Sequence, residues 1–127
     1  MAVANLRPPL DLNTHTGAWS AAVAANAVVC INMIHIAPWD ACAGLMKGAG
    51  NILPAGGVLY LYGAFKEGGR HTAPNNAAFD ESLRRRDPSW GVRDLGDVAA
   101  LAAVHGLAFA ETVEMPANNL SVVFAKG

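Results

Sequence analysis

Between Ala27 and Ile36 the chain reads Ala-Val-Val-Cys-Ile-Asn-Met-Ile-His-Ile, almost continuously apolar and rich in β-branched residues, with polar atoms gathered at its end. A run of that kind is the signature of a strand buried on both faces of a parallel sheet. Pro38 follows, and then Ala41, Leu45, Met46, Ala49, Ile52 and Leu53 recur at three- and four-residue spacing, with Asp40 placed to cap or charge the first turn. This spacing predicts an amphipathic helix. Pro54-Ala55-Gly56-Gly57 breaks it and leads into Val58-Leu59-Tyr60-Leu61-Tyr62, a second short apolar strand bounded by Gly63. A strand, helix and strand joined in this way favour parallel pairing through a right-handed crossover.

The remainder extends that unit. A long polar loop is expected from Gly63 to Pro74, and then a helix capped by Asn75 or Asn76, with Phe79 and Leu83 on one face and Asp87-Pro88 at its end. A further helix opens at Asp94 or Asp97, carries Val98, Leu101, Ala102 and His105, and stops at Gly106. Ala108 to Met115 and Leu120 to Lys126 read as two strands of a hairpin around Pro116-Ala117-Asn118-Asn119. The fold class expected is therefore α/β and Rossmann-like, a mainly parallel sheet ending in an antiparallel hairpin. The amino-terminal part is less regular: Leu10 to Asn13 reads as a strand end, and Trp19 with Ser20 as the start of a short helix.

With 127 residues the expectation is one domain. Hydrophobic residues at 53% against 15% charged exclude a disordered chain. The longest apolar stretches, 21–31 and 53–65, are broken by Asn26 and by Pro54 with glycines, short of a membrane span. Residues 1–7 carry no basic head before a long apolar run, so a cytoplasmic location is expected. A net charge of -1 gives no electrostatic footprint for nucleic acid or an anionic membrane, and Arg84, Arg85 and Arg86 read as a solvated helix face. Cys30 and Cys42 stand in no Cys-x-x-Cys pair or His-rich cluster, so reduced thiols and no metal site are expected.

Five longer words are more specific than the element order: Cys30 to Trp39, Gly56 to Gly63, Gly69 to Asn76, Arg86 to Asp94 and Glu114 to Ser121. Together they resemble the family called domain of unknown function 938, of the methyltransferase-like 26 type, over nearly the whole chain. The resemblance implies the carboxy-terminal part of a class I S-adenosylmethionine-dependent methyltransferase, whose seven-stranded sheet binds cofactor beyond the carboxyl ends of its parallel strands. Strand carboxyl ends at a topological switch point are also where physics places a ligand in an open parallel sheet. In such proteins a glycine-rich turn after the first strand holds the methionine and ribose, and an acidic residue after the second holds the ribose. Neither is found in these 127 residues, and Gly48-Ala49-Gly50 falls late in a helix. The expectation is a single partial methyltransferase-like domain over residues 1–127.

The resemblance also implies an acid near the adenine at the end of the third strand, for which Asp11 and Asn13 are the candidates. Asn32 and His35 emerge where a catalytic or cofactor-facing group would stand, with satisfaction of buried strand-end backbone as the alternative. Pro38 and Trp39 would wall a pocket or pack the helix on the sheet. Tyr62 and Phe65 are expected to line the acceptor pocket, and Arg70 and His71 to orient an anionic or polar substrate. Asp87, Trp90 and Arg93 read as a structural knot, with Trp90 packed and Arg93 paired to an acid, while Asn118 and Asn119 fit turn chemistry or, where their loop approaches the active edge, are further site candidates.

Two functions stand against each other: methyl transfer to an unknown acceptor, completed by another polypeptide or a second copy, and a non-catalytic Rossmann-like remnant or interaction module that binds no cofactor. A hydrolase is disfavoured because Gly-x-Ser-x-Gly does not occur. In the family arrangement the first strand lies beside the fourth, so the strand around Val28 to Ile34 is expected to be an open edge, covered by a homodimer or by strand exchange.

Overall fold

The structure, a computed structural model, describes residues 26–127. Asp11, Asn13 and the expected helix at Trp19 and Ser20 lie outside these residues. The apolar run begins with strand β1, Ala27–Ile31, and turns at Asn32 into a single 3-10 turn, Met33–His35. Helix α1, Trp39–Ile52, follows with Pro38 at its amino-terminal boundary and Asp40 in its first turn. Strand β2, Val58–Gly63, pairs in parallel with β1, Val28 opposite Leu59 and Cys30 opposite Leu61.

The expected loop after β2 is instead a small hairpin, with β3, Lys66–Glu67, antiparallel to β4, Arg70–His71. Gly68 and Gly69, at φ of 61 and 77°, form its two-residue tip, a left-handed conformation that glycine adopts without a Cβ penalty. Helix α2, Pro74–Arg86, starts one residue before the asparagines expected to cap it. Ala73 occupies the cap and makes no side-chain bond, while Pro74 fills the first helical position, where its missing N–H is no loss. Leu83 is buried, but Phe79 is exposed, because α2 packs on β4 rather than deep on the sheet.

Helix α3, Leu95–Val104, opens at Asp94, whose carboxylate accepts from the Gly96 N–H, and ends just before Gly106. Strands β5, Leu107–Met115, and β6, Asn119–Lys126, form the expected hairpin around a 3-10 turn at Pro116–Asn118.

The four-stranded sheet has the order β1-β2-β6-β5. It is mixed rather than mainly parallel, since β6 inserts antiparallel between β2 and β5 and leaves β1 with β2 as the one parallel pair among the described residues. One face carries the core. Leu59, Leu61, Val122 and Phe124 of the sheet meet Cys42, Leu45, Met46 and Ala49 of α1 and Val98 and Ala102 of α3, all buried. Each large apolar side chain in that layer contributes about 1.5 to 3 kcal/mol. The expectation that β1 is buried on both faces is overturned by its alternation: Val28 and Cys30 lean on the core, whereas Val29 and Ile31 are 62% and 61% exposed. No described helix is long and apolar enough to cross a membrane.

Candidate functional site

β1 and β2 run the same way, so the turn after Ile31, the β3–β4 hairpin after Gly63, the start of α2 and the Pro116–Asn118 turn meet at one edge. Asn32 is the pivot. Its φ of 59° is left-handed, which asparagine tolerates better than most residues, and its N–H donates to the Tyr62 carbonyl at 2.8 Å. This bond ends the parallel ladder and turns the chain out of the sheet.

His35, three residues on, is fully buried, with its ring edge-to-face on Phe65 at 5.1 Å. The backbone of residues 91–93 wraps it: the Gly91 N–H donates to the His35 carbonyl at 2.9 Å, and the Arg93 N–H donates to Nδ1 at 3.2 Å. Nδ1 is thus the acceptor nitrogen and Nε2 carries the proton, yet Nε2 is buried with no partner among the described residues. Burial, helped by the Arg93 charge, lowers the imidazole pKa to about 4, so the ring is neutral. Gly63 explains the space before it. A Cβ there would stand 2.7 Å from Asn32 Oδ1 and 2.9 Å from His35 Nε2, so only glycine lets an amide oxygen and an imidazole N–H converge on that point.

Arg93 is not paired to an acid as expected. Its guanidinium donates to three backbone carbonyls, Ile34 at 2.9 Å, Ala37 at 2.7 Å and Ser89 at 2.8 Å, and lies 5.5 Å over the Trp39 ring. The fork holds the turn that carries His35, which is what a planar guanidinium does well. Asp80 anchors the other side. Buried on α2, it accepts from the Val92 N–H at 2.9 Å, from Arg84 Nε at 3.2 Å and Nη2 at 2.5 Å, and from His71 Nε2 at 3.2 Å. Burial alone would raise its pKa, but the Val92 N–H, Arg84, Lys66 and His71 outweigh burial and hold it below the usual carboxylate range.

The substrate-side candidates separate. Tyr62 is half-buried, its hydroxyl accepting from Asn119 Nδ2 at 3.2 Å, whereas Phe65 lies in the core rather than on a cavity wall. Arg70 is exposed on β4, and His71 turns inward to Asp80 with its Nδ1 buried and unpartnered. Trp39 lines an open hollow of about 440 Å³ with Lys66, Arg93, Asp94 and Asp97. Arg93 there is already spent on carbonyls, and Asp94 on the N–H groups of Gly69 and Gly96.

A second hollow, of about 320 Å³, lies at the strand ends and brings together Asn32, Asn76, Asn119, Ala64 and Phe79. Its wall is held by amides: Asn75 Nδ2 donates to the Ala117 carbonyl at 3.1 Å, Asn118 Nδ2 to Asn75 Oδ1 at 2.8 Å, and Asn76 Nδ2 to the Asn118 carbonyl at 3.2 Å. Ala117 and Asn118 both have left-handed φ, so the turn depends on this bracing. Asn75 and Asn76, which wall this hollow, and Asp80, which anchors the turn beside it, are residues that the sequence does not by itself mark as part of the site. The signals it offers are the Asn-Asn pairs at 75–76 and 118–119 and the four-residue spacing of Asp80 and Arg84. No cluster of metal ligands occurs among the described residues, and burial raises the Cys42 thiol to about 12, far from a nucleophile.

The family model described as protein of unknown function (DUF938) matches residues 1–126. The chain belongs to that family. Solved structures add the fold that this DUF938 chain shares. It resembles an O-methyltransferase family 2 protein from Planctomyces limnophilus, solved with apigenin, at 20% identity and a TM-score of 0.74 over 83% of this chain and 31% of that one. An O-methyltransferase family protein from Burkholderia thailandensis matches at 15% identity and 0.73, over 91% and 33%. Human N-acetylserotonin methyltransferase, solved with SAM, matches at 14% and 0.68, over 80% and 29%. The chain spans about a third of the length of these proteins and corresponds to their carboxy-terminal part.

Proposed function

We propose that the chain carries the acceptor side of an S-adenosylmethionine-dependent methyl transfer, with the methionine and ribose held chiefly by a glycine-rich turn that is not in these 127 residues. The observation that carries this reading is the convergence at Gly63, where the Asn32 amide, which lines the hollow at the strand ends, stands against the enclosed His35 imidazole N–H. When bound, the cofactor supplies a methyl group on a sulfonium. Asn32 touches the ligand from the strand end, and its amide dipole suits a polar group whose charge changes during reaction. His35, neutral and enclosed, acts as a positioning residue that fixes the Asn32 turn and takes no proton. Tyr62, bonded to Asn119, borders the site, whereas Trp39 lines the separate hollow beside Lys66 and Arg93, and Asp11 and Asn13 are the candidates for the adenine side. Transfer of this kind depends mainly on alignment, so amides without a charged triad are sufficient equipment. We also propose that a second copy covers the β1 edge, where Val29 and Ile31 are exposed. A monomer by light scattering at working concentration refutes that part.

The test follows the side-chain amide of Asn32 by NMR as S-adenosylmethionine is raised to millimolar concentration. Weak binding centred on Asn32 is the expected result. Micromolar affinity of the chain alone would refute the divided site, and no response at Asn32 would leave the non-catalytic module as the better reading.

A further inference from the structure

The hollow of about 320 Å³ bounded by Asn32, Asn76, Phe79 and Asn119 differs in chemistry from everything around it. Among the described residues its wall holds amides, two alanines and one aromatic ring, and no side chain that carries charge. The charged residues of this edge are engaged elsewhere. Arg93 is spent on carbonyls, and Arg84 and His71 are turned to Asp80. Arg70, which the sequence offered as an anchor for an anion, projects from the exposed β3–β4 hairpin and does not line this hollow.

The start of α2 does not supply a positive site in its place. Pro74 has no N–H, and the N–H groups of Asn76 and Ala77 both donate to the Ala73 carbonyl, at 3.1 and 3.3 Å. The amides divide by role. Asn75 uses both ends of its amide on Ala117 and Asn118, which makes it a brace. Among the described residues Asn119 donates to the Tyr62 hydroxyl and the Pro116 carbonyl while its own Oδ1 accepts no bond, and Asn32 makes no side-chain bond. Phe79, 37% exposed, offers a ring at the rim.

We infer that this hollow binds an uncharged, planar, polar molecule that exchanges hydrogen bonds with the Asn32 and Asn119 amides and lies against Phe79. This rests on the methyl-transfer reading and names the class of its acceptor. A charged group entering here loses hydration and meets no opposite charge on the wall among the described residues, so either sign is disfavoured. The anion is disfavoured more, because Glu67 and Glu114 line the neighbouring hollow that shares Asn119.

Three molecules of nearly one shape separate the cases: benzamide, benzamidinium and benzoate, which are neutral, cationic and anionic. Each is titrated into the 127-residue chain while the asparagine side-chain amides and the Phe79 ring are followed by NMR. Benzamide is expected to shift Asn119, Asn32 and Phe79, with benzamidinium about ten-fold weaker and benzoate weaker again. In Asn119→Asp, an isosteric change that brings a carboxylate to the wall, the order of benzamide and benzamidinium should invert. Benzoate or benzamidinium binding the unaltered chain as well as benzamide overturns the inference, as does no binding of any of the three up to their solubility. If Asn119→Asp does not fold, the series on the unaltered chain still decides. Failure here leaves S-adenosylmethionine binding at Asn32 untouched, and failure of that binding with benzamide still bound removes the cofactor reading alone.

Discussion

Two regions at the same edge of the sheet are built on opposite terms. The knot of Asp80, Val92, Arg93 and His35 is charged and buried, with most of its donors and acceptors matched inside the protein. Among the described residues the hollow beside it carries no charge, is braced by asparagines, and is left with spare amide groups. Residue types that most resemble catalytic equipment therefore hold backbone in place, and the plainer amides face the space where a ligand fits. Charge is strong but has to be satisfied where it is buried, which suits it to fastening. An amide donates and accepts without changing charge, which suits it to an exchangeable neutral partner.

If the knot is scaffold, breaking it should cost stability far more than any change at the hollow. Asp80→Ala strands the Val92 N–H, Arg84 and His71 together, and a loss of about 3 to 5 kcal/mol is expected in urea unfolding. Asp80→Asn should cost less, since an amide oxygen still accepts from Val92. Equal losses for the two would mean that the charge alone fastens this corner and that the Val92 hydrogen bond adds nothing. His35 gives the next largest effect through pH. Its folded pKa of about 4 lies below the ordinary 6.5, so between these values the unfolded chain binds more protons and stability falls as the solution is acidified. The contribution is intact above pH 6.5, and about 2 kcal/mol should be lost by pH 5. His35→Gln should flatten that part of the profile, and an unchanged pH dependence in the variant would separate His35 from the effect. Gly63→Ala joins the two regions. A methyl group pressed between Asn32 Oδ1 and His35 Nε2 should destabilise by about 1 to 3 kcal/mol and move the Asn32 amide resonance. An undisturbed Asn32 signal would mean that the convergence is looser than its geometry.

Sequence alone reached the scaffold further than the site. Strand, helix and strand from Ala27 to Gly63, the α3 cap at Asp94 and the closing hairpin follow from local periodicity and punctuation. The sheet's mixed character was not legible, since the place of β6 between β2 and β5 is a long-range choice that no local pattern records. The exposure of Val29 and Ile31 escaped for a related reason: an apolar run says that burial is possible on two faces and not which face finds a partner. Gly68-Gly69 is a turn signal, but it lies within a longer polar run whose flanking residues carry no strand pattern. At the site, Asn32 and His35 were found from position at a strand end, but the inward turn of His71 and the carbonyl fork of Arg93 depend on residues far apart in the chain. Asp80 looked like one of a row of surface charges on α2, and only the approach of Val92 reveals its buried role.

The smallest expected effect on stability sharpens the contrast most. Asn32 occupies a left-handed position that glycine also adopts, so Asn32→Gly removes the amide and preserves the backbone path. Its N–H to the Tyr62 carbonyl survives, and no side-chain bond within the described residues is lost. A change of no more than about 0.5 to 1 kcal/mol in unfolding free energy is expected, together with weakened binding of both S-adenosylmethionine and benzamide, each read at the Asn119 amide and the Phe79 ring. Should Asn32→Gly instead cost as much as Asp80→Ala, the amide would be a fastening like Arg93, and the hollow would belong to the scaffold. Should stability and both ligand responses remain unchanged, the strand end would have no part in binding, and a ligand reading would have to move to the Asn119 side of the cavity.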